Sequence, residues 1–167
     1  MKKVALLGLL SVAVMASESG LYVGAEVGRA NQKVVEDGEK FSNTSTAYAI
    51  NGGYYINQNN RAYAFYSYIS KGDFYTHTDV YGAGYDYLIG TSPLKPFVGA
   101  IVAYSDFSYP GFKMTGMAYG GQVGIDYSVN GNLSVDAGYK YLLSDAKEGT
   151  SEAKSFSAFF AGANYKF

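Results

Sequence analysis

The chain offers chemistry very little: one histidine, no cysteine and a few scattered carboxylates among 167 residues. Without Cys there are no thiolate nucleophiles, disulfides or thiolate metal sites, and a lone His77 builds no histidine metal cluster. No metal and no cofactor are therefore expected. His77, just before Thr78-Asp79, is the single candidate general base, and such a base needs a hydroxyl nucleophile within hydrogen-bond reach. No His-x-Ser pattern surrounds it; only Ser67 and Ser70 stand across the adjoining loop. A solvated loop histidine follows, and the chain is expected not to be an enzyme. The other polar candidates are Glu26, Asp86, Gln122, Asp126, Asp136 and Lys140, and what they can do depends on which of them share a face.

Composition narrows the classes further. Lys and Arg number 13 against 14 Asp and Glu, with no basic run, so the electrostatic footprint for a phosphate backbone is missing and no nucleic-acid partner is expected. Charged residues make up 16% of the chain, where a soluble domain averages about 25%, while aromatics reach 17%. The length suits one domain. Met1 to Ala16 has Lys2 and Lys3, then an apolar run from Val4 to Met15 with small residues before the break. That run is too short for the ~20 residues of a spanning helix, so residues 1–16 read as a cleavable signal peptide and 17–167 as the mature domain.

Those polar candidates must be positioned by strands, because the mature chain alternates with period two. From Thr115 to Val129, Met117, Tyr119, Val123, Ile125, Tyr127 and Val129 oppose Gly116, Ala118, Gly120, Gln122, Gly124, Asp126 and Ser128. After Asn130-Gly131, a two-residue hairpin signal, Leu133, Val135, Ala137, Tyr139 and Tyr141 oppose Ser134, Asp136, Gly138 and Lys140. The same pattern runs through Leu21–Val27, Ala47–Ile56, Asp79–Ile89 and Ser155–Phe167, and Phe97–Ser105 follows the Ser92-Pro93 turn as a further strand. Arg61–Ser70 carries Tyr and Phe on both parities, which leaves its facing open, as it does for the fifth strand. Eight strands result. Asn57–Asn60, Gly90–Lys95 and Asn130-Gly131 are short turns, whereas Ala30–Asn43, Ser70–Thr78, Asp106–Lys113 and Ser144–Glu152 read as longer polar loops.

A soluble barrel would cover its outside with polar side chains. Here the polar face is mostly Gly, Ala and Ser, which suits the crowded lumen of a small barrel, and the apolar face must then meet lipid. Pairs such as Tyr119 and Tyr127 stand eight residues apart, roughly 20 Å of rise at ~3.3 Å per residue and ~40° tilt, close to the ~25 Å between aromatic girdles. Glu26, Gln122, Asp136 and Lys140 share the inward parity and are expected at middle or upper levels, with Asp86 and Asp126 nearer the short turns. Charges there must pair, so Lys140 is expected to bridge Glu26 or Asp136 in a hydrogen-bonded plug. A thin water or cation path is the alternative, and it needs that plug to be incomplete.

The last residues, Phe160-Ala161-Gly162-Ala163-Asn164-Tyr165-Lys166-Phe167, resemble the assembly signal of bacterial outer-membrane barrels in Gly162, Tyr165 and Phe167, though Phe160 stands where a polar residue is usual. Across Gly20–Phe167, including Pro96-Phe97-Val98-Gly99-Ala100, the chain resembles small eight-stranded bacterial outer-membrane barrels of the OmpA transmembrane-domain and OmpX type. The resemblance implies an all-β, eight-stranded, antiparallel up-and-down transmembrane barrel in the outer membrane of a Gram-negative bacterium. It implies insertion by the barrel-assembly machinery, contact with outer-membrane lipids and lipopolysaccharide, and four loops at the cell surface. A structural or surface-interaction role is expected, with a narrow porin-like channel as its rival and a host or phage protein as a candidate loop partner. Arg29, Lys71, Lys113 and Lys154 fall near the outer strand ends, where they would meet lipopolysaccharide phosphates.

Overall fold

Alternation of small inward and bulky outward residues lets a strand present two different surfaces, and closure of the sheet satisfies every backbone group without water. The computed structural model describes residues 20–36, 39–70, 77–109, 112–145, 147–148 and 151–167. Its strands are β1 (Gly20–Glu36), β2 (Glu39–Asn57), β3 (Asn60–Ile69), β4 (His77–Leu88), β5 (Leu94–Tyr109), β6 (Phe112–Ser128), β7 (Leu133–Ser144), the two-residue β8 (Lys147–Glu148) and β9 (Ser151–Lys166). Each long strand pairs antiparallel with the next, and β1 also pairs with β9, closing an eight-stranded barrel on which β8 is a short appendage. The expected signal peptide lies outside the described residues.

Register fixes the shape. Cross-strand partners followed from Tyr22 through Gly53, Tyr63, Gly84, Ile101, Gly120, Leu142 and Phe156 return to β1 at Gln32, ten residues (32 minus 22) further along. With ~3.3 Å per residue and ~4.7 Å between strands, that offset tilts the strands about 40° from the axis. Each residue then climbs ~2.5 Å along the axis, and each step to the following strand adds ~3 Å.

Outward side chains form the apolar belt, with Val27, Ile50, Val102, Val123 and Phe159 all exposed. The open parities are settled: Arg61, Tyr63, Phe65, Ser67 and Ile69 face inward on β3, and Phe97, Gly99, Ile101, Ala103 and Ser105 do so on β5. Two of the long connections differ from expectation. The stretches Ala30–Asn43 and Asp106–Lys113, expected as long loops, are mostly paired strand, with Glu36 opposite Glu39 and Tyr109 opposite Phe112. Pairing continues there because ladder bonds form in water whatever the side-chain pattern. The turn expected at Asn130-Gly131 spans Val129 to Asn132, because Asn130 Oδ1 accepts the backbone N–H of both Asn132 and Leu133 and widens it. At the β4–β5 turn, Gly90 adopts φ +95°, a conformation that a Cβ would strain.

Candidate functional site

Three layers fill the bore. The layer nearest the short turns is built on Arg61 at the start of β3, whose side chain points into the lumen and is only 4% exposed. Its Nε donates to Asp86 Oδ2 at 2.8 Å, Nη2 to Asp136 Oδ2 at 3.3 Å and Nη1 to Asp126 Oδ2 at 3.5 Å. Its guanidinium carbon lies 5.1 Å from the Phe97 ring centroid. The carboxylates have further donors: Ser134 Oγ bonds Asp126, and Asn164 Nδ2 bonds Asp136. Gln122 Nε2 donates to Asp86 Oδ1 and to Tyr63 Oη, each at 2.9 Å, tying this layer to the one above.

Glycines make the room. A Cβ at Gly99 would strike Asp86 Oδ1, and one at Gly162 would stand 2.7 Å from Asp136 Oδ1. Small residues on one strand thus accommodate charged ones on its neighbour.

In the middle layer Lys140 Nζ donates to Glu26 Oε2 at 2.7 Å and lies 4.3 Å from the Phe160 ring centroid. Asn51 Nδ2 donates to Glu26 Oε1 at 3.2 Å. Above it lies an apolar cluster in which Ile69, Val80, Ala118, Leu142 and Phe156 are buried and pack together with Ile101, while Gln32, Ser67, Thr78 and Ser105 are buried polar residues of the same inward parity on their strands. A cavity of about 20 Å³ lies between the Glu26–Lys140 pair and this layer, room for about one water. The larger cavity, about 230 Å³, opens at the short-turn end between Tyr55, Lys95, Ser134 and Lys166 and has Asp126 in its lining.

The structure therefore groups the sequence-derived residues differently. Asp136, expected with Glu26 and Lys140, lies directly across from Asp126 and belongs with Asp86 in the lower layer. The shear lowers it: Asp136 is level with the base of β1, not with Glu26. Arg61, which the sequence pattern passed over, is the hub. Gly162 faces inward, whereas Tyr165 and Phe167 point outward with ring centroids 5.4 Å apart. Arg29 is outward and exposed on β1. Lys71 and the side chains of Lys113 and Lys154 lie outside the described residues.

His77 sits on the outer wall of β4, its Nε2 3.3 Å from Asp79 Oδ2 and its ring stacked on Tyr68. Ser67 is buried in the lumen and Ser70 Oγ donates to Thr46 O, so neither serine is bonded to His77. Among the described residues no His, Asp and Glu cluster suits a metal ion.

Comparison with known proteins agrees with this architecture. The family model described as "Outer membrane protein beta-barrel domain" matches residues 4–167. The crystal structure of Neisserial surface protein A (NspA) is similar, with 27% identity and TM-score 0.74, over 89% of this chain and 99% of that one. The solution structure of OprH from P. aeruginosa in DHPC micelles has 25% identity and TM-score 0.64 over the same shares. Ail of Yersinia pestis, solved with the heparin analogue sucrose octasulfate, shares the fold at 19% identity and TM-score 0.51, again over 89% and 99%. No curated protein matches the sequence.

Proposed function

Because the chain belongs to the outer membrane protein beta-barrel domain family and sits in the outer membrane of a Gram-negative bacterium, we propose that it acts as a sealed, non-enzymatic wall protein. On this reading it reinforces the envelope and offers its loops to surface partners. The observation that carries it is the apolar layer of Ile69, Leu142 and Phe156 above the paired charges. An ion crossing that layer would shed its hydration against apolar side chains, with only the buried hydroxyls of Ser67, Thr78 and Ser105 and the Gln32 amide nearby and no charged group to replace the lost water. The lower charges are structural in this reading: Arg61 holds three carboxylates, and the vestibule is a blind recess.

Residues 1–16 serve as the export leader, and Gly162, Tyr165 and Phe167 as the segment that the assembly machinery reads. Arg29 is the described cation placed to meet lipopolysaccharide. A surface partner, of host or phage origin, would engage the loop-end hairpins. Planar-bilayer recording of the purified, refolded barrel tests the sealed lumen. A folded barrel should give no unitary steps; reproducible steps altered by Lys140→Ala or Glu26→Gln would establish the narrow-channel rival instead.

A further inference from the structure

Hydrogen bonds between turns brace the mouth at the short-turn end. Asn59 Nδ2 donates to Leu88 O at 2.7 Å and to Gly90 O at 2.8 Å, and Lys95 Nζ donates to Gln58 O at 2.8 Å, which ties the β2–β3 turn to the β4–β5 turn. The backbone N–H of Ser128 donates to Pro93 O at 2.8 Å and Asn132 Nδ2 to Lys166 O at 2.8 Å, which carries the bracing through the β6–β7 turn to β9. The rim of the vestibule is therefore held in one arrangement before anything enters, and a ligand would lose little affinity in ordering it.

Charge is divided inside this recess. At the floor Asp126, 2% exposed, accepts Ser134 Oγ at 3.0 Å and the longest of the three Arg61 contacts, at 3.5 Å. One guanidinium faces three carboxylates there, so the floor is negative. Lys95 and Lys166 are in the lining, and among the described residues no ion pair engages either of them. Lys95 is the cross-strand partner of Asp126, yet its ammonium turns to Gln58 O; Lys166 Nζ lies 5.9 Å from the Tyr55 ring centroid. With ~2.5 Å of rise per residue and ~3 Å per strand, the two lysine backbones are about level, ~3–4 Å nearer the opening than that of Asp126.

We infer that the vestibule binds a small zwitterion of amino-acid size, its ammonium on Asp126 and its carboxylate on Lys95 and Lys166. A simple anion would meet the negative floor and a simple cation would meet two ammonium groups, whereas a molecule carrying both charges meets an opposite charge at each level. The volume of about 230 Å³ falls below the ~300–1,000 Å³ of pockets that take drug-sized ligands, so the occupant is smaller than those. The apolar cluster above the Glu26–Lys140 pair makes the recess a dead end, and the ligand enters and leaves on the short-turn side. On that point the inference rests on the reading of the lumen as sealed.

The test is an amide NMR titration of the full refolded barrel in micelles with alanine, with propionate and ethylamine, which each lack one of its charges, and with trialanine, whose charges lie far apart. Saturable shifts are expected at residues 126–134 and 164–166, with alanine bound at least tenfold more tightly than the other three. Asp126→Asn should weaken alanine binding at least tenfold while strengthening that of propionate, a reversal that loss of folding would not produce. Lys95→Gln/Lys166→Gln should weaken alanine binding at least tenfold, and Lys33→Gln, at the loop end, by less than twofold. Propionate bound as tightly as alanine would overturn the zwitterion assignment, as would an Asp126→Asn variant that binds alanine within twofold of the parent. Trialanine bound as tightly as alanine would assign the recess to a peptide end and overturn the size limit. A barrel that conducts but still binds alanine would refute the sealed lumen and leave the site standing; a silent barrel whose vestibule amides ignore alanine would do the reverse.

Discussion

Replacing Arg61 with Met should be the most damaging single change in the lumen. The residue is 3% exposed and faces Asp86, Asp126 and Asp136, which are 0%, 2% and 6% exposed. Methionine keeps the packing against Phe97 but leaves three carboxylates without their counter-charge. Breaking a buried ion pair by removing one partner costs about 3–5 kcal/mol, and here one removal strips three acceptors at once, so the upper end applies. Lys140→Met removes the partner of Glu26 alone; that pair is 12–14% exposed and Glu26 keeps its Asn51 bond, so a loss of about 1–3 kcal/mol is expected. Asp126→Asn has a different sign of argument. It removes one of two carboxylates that face each other across β6 and β7, keeps an oxygen for Ser134, and should cost less than about 1 kcal/mol. The assay is urea unfolding of the refolded barrel in lipid vesicles, followed by the heat-modifiable gel band and circular dichroism. Arg61→Met unfolding no more easily than Lys140→Met would refute the hub assignment.

Other changes probe the wall and its packing. Gly162→Val should cost about 1–3 kcal/mol in the same assay, because its Cβ would stand 2.7 Å from Asp136 Oδ1 and 2.9 Å from Ala25 O, whereas Ala163→Val on the outer face should stay within ~0.5 kcal/mol. Val123→Lys puts a charge near the middle of the lipid belt and should destabilise by ~2–4 kcal/mol, against ~0–1 kcal/mol for Asn130→Lys at the turn; equal effects would move the belt. His77→Ala should leave the lipid A of expressing cells unchanged by mass spectrometry relative to the parent, and the parent's lipid A unchanged relative to cells lacking the protein.

The barrel itself was legible in the sequence because β6 and β7 separate small from bulky residues cleanly. On β3 the signal vanished, since Tyr63 and Phe65 are inward and Tyr66 and Tyr68 outward. The missing information lies on the neighbouring strand: a Cβ at Gly84 would strike the Tyr63 ring, as one at Gly124 or Gly138 would crowd Phe97 or Phe160. An inward glycine on one strand therefore marks a large inward side chain opposite it on the next, and reading Gly84 against Tyr63 that way would have turned Arg61, two residues before Tyr63, inward as well. The level of each charge was hidden for another reason. Parity gives a face, whereas height depends on the ten-residue offset that appears only when β1 meets β9.

The sealed lumen is tested most directly by thiol accessibility, since the chain has no native Cys. Single variants Ser128→Cys, lining the vestibule, and Ala118→Cys, in the apolar layer, would be exposed in the folded barrel to a charged, water-soluble thiol reagent. Ser128→Cys should react within the assay, and Ala118→Cys only after unfolding. Equal labelling of both in the folded state would mean a continuous aqueous bore and would contradict the account.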